Sequence, residues 1–150
     1  MMNLPSLDRI TGIIQAPHSR EVKLLEICQL LRETCSYYNW VGFYLADQNR
    51  EELVLGPHVG EPTEHVCIPY GKGICGQVAK SRETLIVQDI EVVENYLACN
   101  VNVKAEMVVP ILKDGQFVAE LDIDSHQKYP FTERDRVYLN GICQLVAGLF

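Results

Sequence analysis

Apolar positions in this chain alternate between helical and strand spacing. A short helix is predicted over residues 6–15 after Ser6, and Ser19 is placed to cap a longer one reaching about Tyr38. In that second helix Val22, Leu24, Leu25, Cys28, Leu31 and Cys35 recur at helical intervals. Period-two patterns then predict strands over 40–46, 51–55 and 64–70. Gly71-Lys72-Gly73 breaks the pattern, and 74–81 reads as a short helix. A strand over 84–88, a short helix near 91–95 and strands over 105–112 and 116–124 follow. Thr132 opens the last helix, with Asp135 placed for a capping interaction. Its apolar positions include Val137, Leu139, Ile142, Leu145, Val146 and Leu149. Helix, antiparallel-looking strands and helix in this order give an α+β class, expected as one domain over residues 1–150.

Two strands carry polar patterns that ordinary packing does not require. In Val118-Ala119-Glu120-Leu121-Asp122-Ile123-Asp124, alternation puts Glu120, Asp122 and Asp124 on one face and Ala119, Leu121 and Ile123 on the other. Neighbouring acids in such a row lie ~6–7 Å apart along the strand and repel unless water, a cation or a ligand relieves them. The row therefore faces solvent or lines a site. The preceding strand is joined to it through Asp114-Gly115, and the register decides what else joins the row. A three-residue loop pairs Lys113 with Phe117 and so Glu106 with Asp124, which segregates acids from apolar residues. A two-residue loop mixes them, so the odd loop is expected, and it adds Glu106 to the acidic face. In the strand at 40–46, Trp40 and Tyr44 flank Gly42 on one face, a shallow slot beside a bare backbone.

Composition narrows the partners. The 150 residues are 47% hydrophobic with a net charge of −7, which argues against nucleic acid and anionic membrane as main partners. No apolar run approaches the ~20 residues of a membrane-spanning helix, and Met1-Met2-Asn3-Leu4-Pro5 has no secretory pattern. A cytoplasmic location is expected. Six cysteines are many for this length, but no C-x-x-C spacing marks a zinc site, and neither a metal nor another cofactor is expected.

Three of the thiols, Cys28, Cys35 and Cys143, sit in apolar helical patterns and read as buried and inert. Cys75 follows Gly73 near a helix N-terminus, a place that favours a thiolate. Cys99 falls in a loop before the Glu106 strand. Cys75 and Cys99 are too far apart to be a local redox motif, so a couple and two unrelated thiols both stand. Cys67 shares a strand face with His65, opposite Val66, Ile68 and Tyr70. That pair could begin a metal site but lacks a second pair, and the acidic face with His65 could hold a hard cation. His18, His58 and His126 read as loop or surface residues. Gly71-Lys72-Gly73-Ile74-Cys75-Gly76 falls short of the phosphate-loop pattern, and no G-x-S-x-G element is present.

Six segments together resemble the free methionine-(R)-sulfoxide reductases, which are single GAF-domain enzymes. They are Asn39-Trp40-Val41-Gly42-Phe43-Tyr44-Leu45, Leu53-Val54-Leu55-Gly56-Pro57, Gly71-Lys72-Gly73-Ile74-Cys75-Gly76, Leu97-Ala98-Cys99, Glu106-Met107-Val108-Val109-Pro110 and Leu121-Asp122-Ile123-Asp124-Ser125. They stand in the family's order and cover nearly the whole chain from about residue 20.

The resemblance implies a GAF-like fold, with a central antiparallel sheet, the N- and C-terminal helices on one face and a ligand pocket on the other. It implies thiol-dependent reduction of free methionine (R)-sulfoxide to methionine. By matching position, Cys99 is the attacking thiol and Cys75 a resolving one. Trp40 and Tyr44 hold the substrate's methyl end. Glu106, Asp122 and Asp124 contact the sulfoxide or the ammonium group. A thioredoxin-like dithiol is the implied reductant, and a homodimer through terminal helices is expected. The sequence departs from the family in three places: His65 stands where a further cysteine is usual, with Cys67 two residues on as a candidate substitute; Asn100 follows Cys99 in place of aspartate; and Ala105 precedes Glu106 in place of serine. A non-catalytic GAF module that binds a small ligand or signals is the alternative.

Overall fold

The structure, a computed structural model, describes residues 4–96 and 102–150. Helix α1 (Leu7–Gln15) and helix α2 (Arg20–Thr34) precede strands β1 (Trp40–Asp47), β2 (Glu52–Val59) and β3 (Cys67–Pro69). Helix α3 (Gly73–Ser81), strand β4 (Leu85–Val87) and a 3-10 turn (Ile90–Val92) lead into β5 (Ala105–Lys113), β6 (Gln116–Ser125) and α4 (Glu133–Val146). The six strands form one antiparallel sheet in the order β3-β2-β1-β6-β5-β4.

Each sheet face has its own core. Val41, Phe43, Met107, Val109, Ile111, Ala119, Leu121 and Ile123 point to one side, where they pack with Ile10 of α1, Leu24, Ile27, Cys28 and Leu31 of α2 and Leu139, Ile142 and Val146 of α4. The fully buried aliphatic side chains each contribute roughly 1.5–3 kcal/mol, so this layer anchors both terminal helices. On the other side Trp40, Tyr44, Leu53, Val108 and Phe117 pack with Ile74, Cys75, Val78 and Ala79 of α3. The expected arrangement of N- and C-terminal helices on a single face is therefore present, and α3 covers the opposite face. Among the described residues no helix is long and apolar enough to cross a membrane.

Local chemistry sets the helix ends. Ser19 accepts from Val22 N, and Thr132 with Asp135 forms a reciprocal capping box at α4. Helix α2 stops at Thr34 rather than near Tyr38, as periodicity suggests. Thr34 Oγ1 turns back to Leu30 O at 2.7 Å, and Cys35 is extended (φ −125°, ψ 112°). Beyond it, the Tyr37 and Tyr38 hydroxyls both donate to Asp135 at the start of α4. A tertiary anchor thus overrides the helical pattern. The helical faces also sit differently: Val22, Val137 and Leu145 are exposed, whereas Ile27 and Leu30 are buried.

The β5–β6 hairpin corrects one expectation and meets another. Lys113 pairs with Gln116 across a two-residue Asp114-Gly115 turn, not with Phe117. Both turn residues have positive φ (52° and 78°), as such tight hairpin turns require. The register then shifts between Ile111 and Leu112, which leaves Val118 as the extra residue of a β-bulge. From Ile111↔Ala119 onward the ladder is the segregating one, and Glu106 faces Asp124. Burial of Leu121 and Ile123 selects the register, and the bulge reconciles it with the preferred turn.

Candidate active site

Three adjacent strands build the floor of the site. Trp40, Gly42 and Tyr44 on β1 stand opposite Asp124, Asp122 and Glu120 on β6, and Glu106 and Val108 on β5 stand opposite Asp124 and Asp122. The acidic row is not a wetted face. Glu120, Asp122 and Asp124 are 0% exposed and Glu106 is 3% exposed. Glu120 belongs to the same buried floor.

Helix α3 lowers Cys75 onto this floor. Its start is pinned by Asn95, whose Oδ1 accepts from Gly73 N at 2.9 Å and whose Nδ2 donates to Gly71 O at 2.9 Å. The turn before the helix folds back tightly: Gly71 N donates to Gly76 O at 2.7 Å. A Cβ on Gly76 lies 2.7 Å from Pro69 O, so only glycine allows this approach. The Cys75 thiol donates to Asp122 Oδ2 at 3.4 Å and to Glu106 Oε2 at 3.6 Å.

Location at a helix N-terminus does not make Cys75 a thiolate. Burial pushes the thiol far up, and Asp122, Glu120 and Glu106 push it further. A helix terminus is worth roughly 0.3–1 kcal/mol, whereas burying an unbalanced charge costs several. Burial also raises the Asp122 carboxyl, although hydrogen bonds from Glu106, Cys75 and Asp124 counter part of the rise. The Glu120 carboxyl is pushed well up by burial, with Cys75 opposing and Asp122 adding.

The aromatic wall differs from an open slot. The Trp40 indole lies over Gly42, stacked with His58 (centroids 5.5 Å, 21°) and with Tyr44 (6.3 Å, 28°). The room left by glycine is filled by the indole itself. Trp40 Nε1 donates to Glu61 O at 3.0 Å, and Tyr44 donates to His65 O at 2.9 Å. These bonds tie the aromatic pair to the 61–65 segment. His58, read from sequence as a loop or surface residue, is part of this stack, brought there by the β1–β2 pairing that sets it opposite Gly42.

The structure thus brings together Trp40, Tyr44, Cys75, Glu106, Asp122 and Asp124. It does not bring Cys67 to them: Cys67 is exposed on the sheet-edge strand β3, while His65 and Ile68 line a small cavity with Cys75 and Glu106. Cys99 lies outside the described residues, as does Asn100. Ala105 is buried beside Glu106.

Residues 19–149 match the GAF domain family model. The chain is 36% identical over 140 residues to GAF domain-containing protein A of Dictyostelium discoideum, covering 93% of this chain and 87% of that protein. It is 37% identical over 120 residues to the free methionine-R-sulfoxide reductase of Escherichia coli (strain K12), covering 80% of this chain and 69% of that one. Its fold superposes on the X-ray structure of the free methionine-R-sulfoxide reductase from Neisseria meningitidis in complex with its substrate. There the TM-score is 0.90 and the identity 28%, over 100% of this chain and 95% of that one. With this domain match and these identities over most of its length, the chain belongs to the GAF-domain family and, within it, to the free methionine-R-sulfoxide reductases.

Proposed function

We propose that this protein reduces free methionine (R)-sulfoxide to methionine, using the buried wall of Glu106, Asp122 and Asp124 beside Cys75 and the Trp40–Tyr44 pair. The observation that carries this reading is the thiol held 3.4 Å from Asp122 and 3.6 Å from Glu106 on a floor closed to solvent. A sulfoxide sulfur yields to a thiolate once its oxygen takes a proton. Burial raises the Asp122 carboxyl, which suits it to hold and supply that proton. Asp124 or Glu106 pairs with the substrate ammonium, which selects the free amino acid over a peptide-bound residue. The aromatic pair takes the methyl end.

Cys99 attacks the sulfoxide sulfur, the oxygen passes to the cysteine, and methionine leaves with Cys99 as a sulfenic acid. The Cys75 thiol then displaces that hydroxyl as water and closes a disulfide. A thioredoxin-like dithiol restores both thiols by exchange and is itself oxidised. Such chemistry suits a reducing compartment such as the cytoplasm. A homodimer through the terminal helices is compatible with the exposed Leu7 and Val137. Exposed Cys67 is open to an external dithiol rather than to Cys75.

The test is NADPH consumption with thioredoxin, thioredoxin reductase and each free sulfoxide epimer. Turnover is expected on the R epimer and lost in Cys99→Ser. Retained turnover in that variant removes Cys99 as the nucleophile. Ligand binding without turnover in the parent chain supports a binding module instead.

A further inference from the structure

We propose that Cys75, Glu106 and Asp122 form a binding site for a divalent cation of the zinc class, which blocks the pocket when occupied. One donor atom from each residue lies within 4.8 Å of the other two, and all three residues are buried. The donors are 31 and 47 positions apart from Cys75 in sequence, so no ligand spacing announces them. They meet because α3 crosses the β5–β6 pair.

The separations match a specific coordination. With Zn–S of ~2.3 Å and Zn–O of ~2.0 Å, a tetrahedral zinc has S···O edges of ~3.5 Å. The Cys75 sulfur already stands 3.4 Å and 3.6 Å from one oxygen of each acid. Two of the three ligands sit on adjacent strands and the third on a pinned helix, so binding requires little backbone movement.

A second feature points the same way. Asp122 Oδ1 is buried with no hydrogen-bond partner, and both Glu120 oxygens are buried with no hydrogen bond of ordinary geometry. Buried carboxyl oxygens are almost always satisfied, and the Glu120 carboxyl faces the Cys75 thiol closely enough to act on it. A cation beside Cys75 gives these oxygens a counter-charge. The adjoining cavity, lined in part by His65, Ile68, Cys75 and Glu106, has a volume of about 10 Å³. That is the scale of one water or one ion. A thiolate with two carboxylates selects zinc-like ions over calcium or magnesium, which prefer all-oxygen shells.

Binding at this site is independent of catalysis; only its inhibitory consequence rests on the proposed reductase activity. The experiment uses the full, reduced chain with cobalt(II) as a spectroscopic stand-in for zinc. A thiolate-to-cobalt charge-transfer band is expected at one equivalent, bleached by zinc. The band is expected to vanish in Cys75→Ser, weaken at least tenfold in Asp122→Asn and persist in Cys99→Ser and Cys67→Ser. Near-ultraviolet circular dichroism of Trp40 verifies that each variant is folded. Absence of the band in the parent chain, its survival in folded Cys75→Ser or its loss in Cys99→Ser overturns the site. Zinc is expected to abolish turnover of the parent enzyme; a cobalt band with turnover unchanged by zinc overturns the blocking role. Should metal-free protein show no turnover at all, the reductase reading fails while the band still decides the site.

Discussion

Cys75 donates its thiol proton to Asp122 Oδ2 at 3.4 Å, and both residues are closed off from solvent. The pair stabilises the neutral thiol, because a thiolate there meets a low-dielectric wall of acids. Cys67, on the sheet edge, is exposed.

Alkylation of the folded, reduced protein therefore separates the cysteines. Among the described cysteines, Cys67 is expected to react first with iodoacetamide. Cys28, Cys75 and Cys143 combine burial with a raised thiol, and should lag by a factor on the order of 100. Mass-spectrometric mapping over time reads this directly. Equal rates at Cys67 and Cys75 are incompatible with the closed floor.

Gly42 controls the aromatic wall. An added Cβ lies 2.7 Å from His58 Cβ and runs into the Trp40 ring. Gly42→Ala is expected to cost about 1–3 kcal/mol through overpacking and to swing the indole off His58. Trp40 is the sole tryptophan, so its fluorescence reports the change without ambiguity. The Michaelis constant for sulfoxide should rise at least tenfold if Trp40 holds the methyl end. An unchanged emission spectrum and Michaelis constant would falsify both statements.

The acidic wall was legible because strand alternation and segregation are strong constraints. Glu106, Asp122 and Asp124 could be grouped before any coordinates. The turn was misread for a physical reason: Asp114-Gly115 suits a two-residue loop, and the bulge at Val118 hid the compensation. Glu120 was legible in the row but not in its depth, since α3 covers it through contacts that no local pattern encodes. His58 was missed because a lone histidine carries little signal without its partner across the strand. The thiolate expectation for Cys75 weighed the helix end without the acids that tertiary folding places against it.

That bulge gives a test of register. Deleting Val118 removes the unpaired residue and leaves Ile111↔Ala119 and Leu112↔Phe117 as neighbouring pairs. The variant should keep Glu106 opposite Asp124, fold and retain turnover. Deleting Gly115 instead disrupts the Asp114-Gly115 turn that sets Lys113 opposite Gln116. It should break the segregation of acids from apolar residues and abolish soluble expression or turnover. Similar behaviour of the two deletions argues against the bulge as the adjusting element.

The start of α4 predicts an alkaline limit to stability. Tyr38 is buried and donates to Asp135, as does Tyr37 at 3.0 Å. Burial first, and then the bond to Asp135 and its charge, raise the Tyr38 hydroxyl far above its ordinary value of 10.0. Burial also leads the rise at Tyr37, joined by the charges of Cys35 and Asp135. In the unfolded chain both phenols ionise near pH 10, while in the folded protein they stay neutral. Their contribution is therefore whole below about pH 10 and falls as pH climbs toward the folded value. The melting temperature should drop steeply above about pH 10. Tyr38→Phe should cost about 1.5–3 kcal/mol near neutral pH, the worth of a hydrogen bond to a charged group. It should also flatten the alkaline drop, because one of the two phenols no longer ionises on unfolding. Parallel melting curves for the parent and Tyr38→Phe across that range would show that Tyr38 carries none of the linkage.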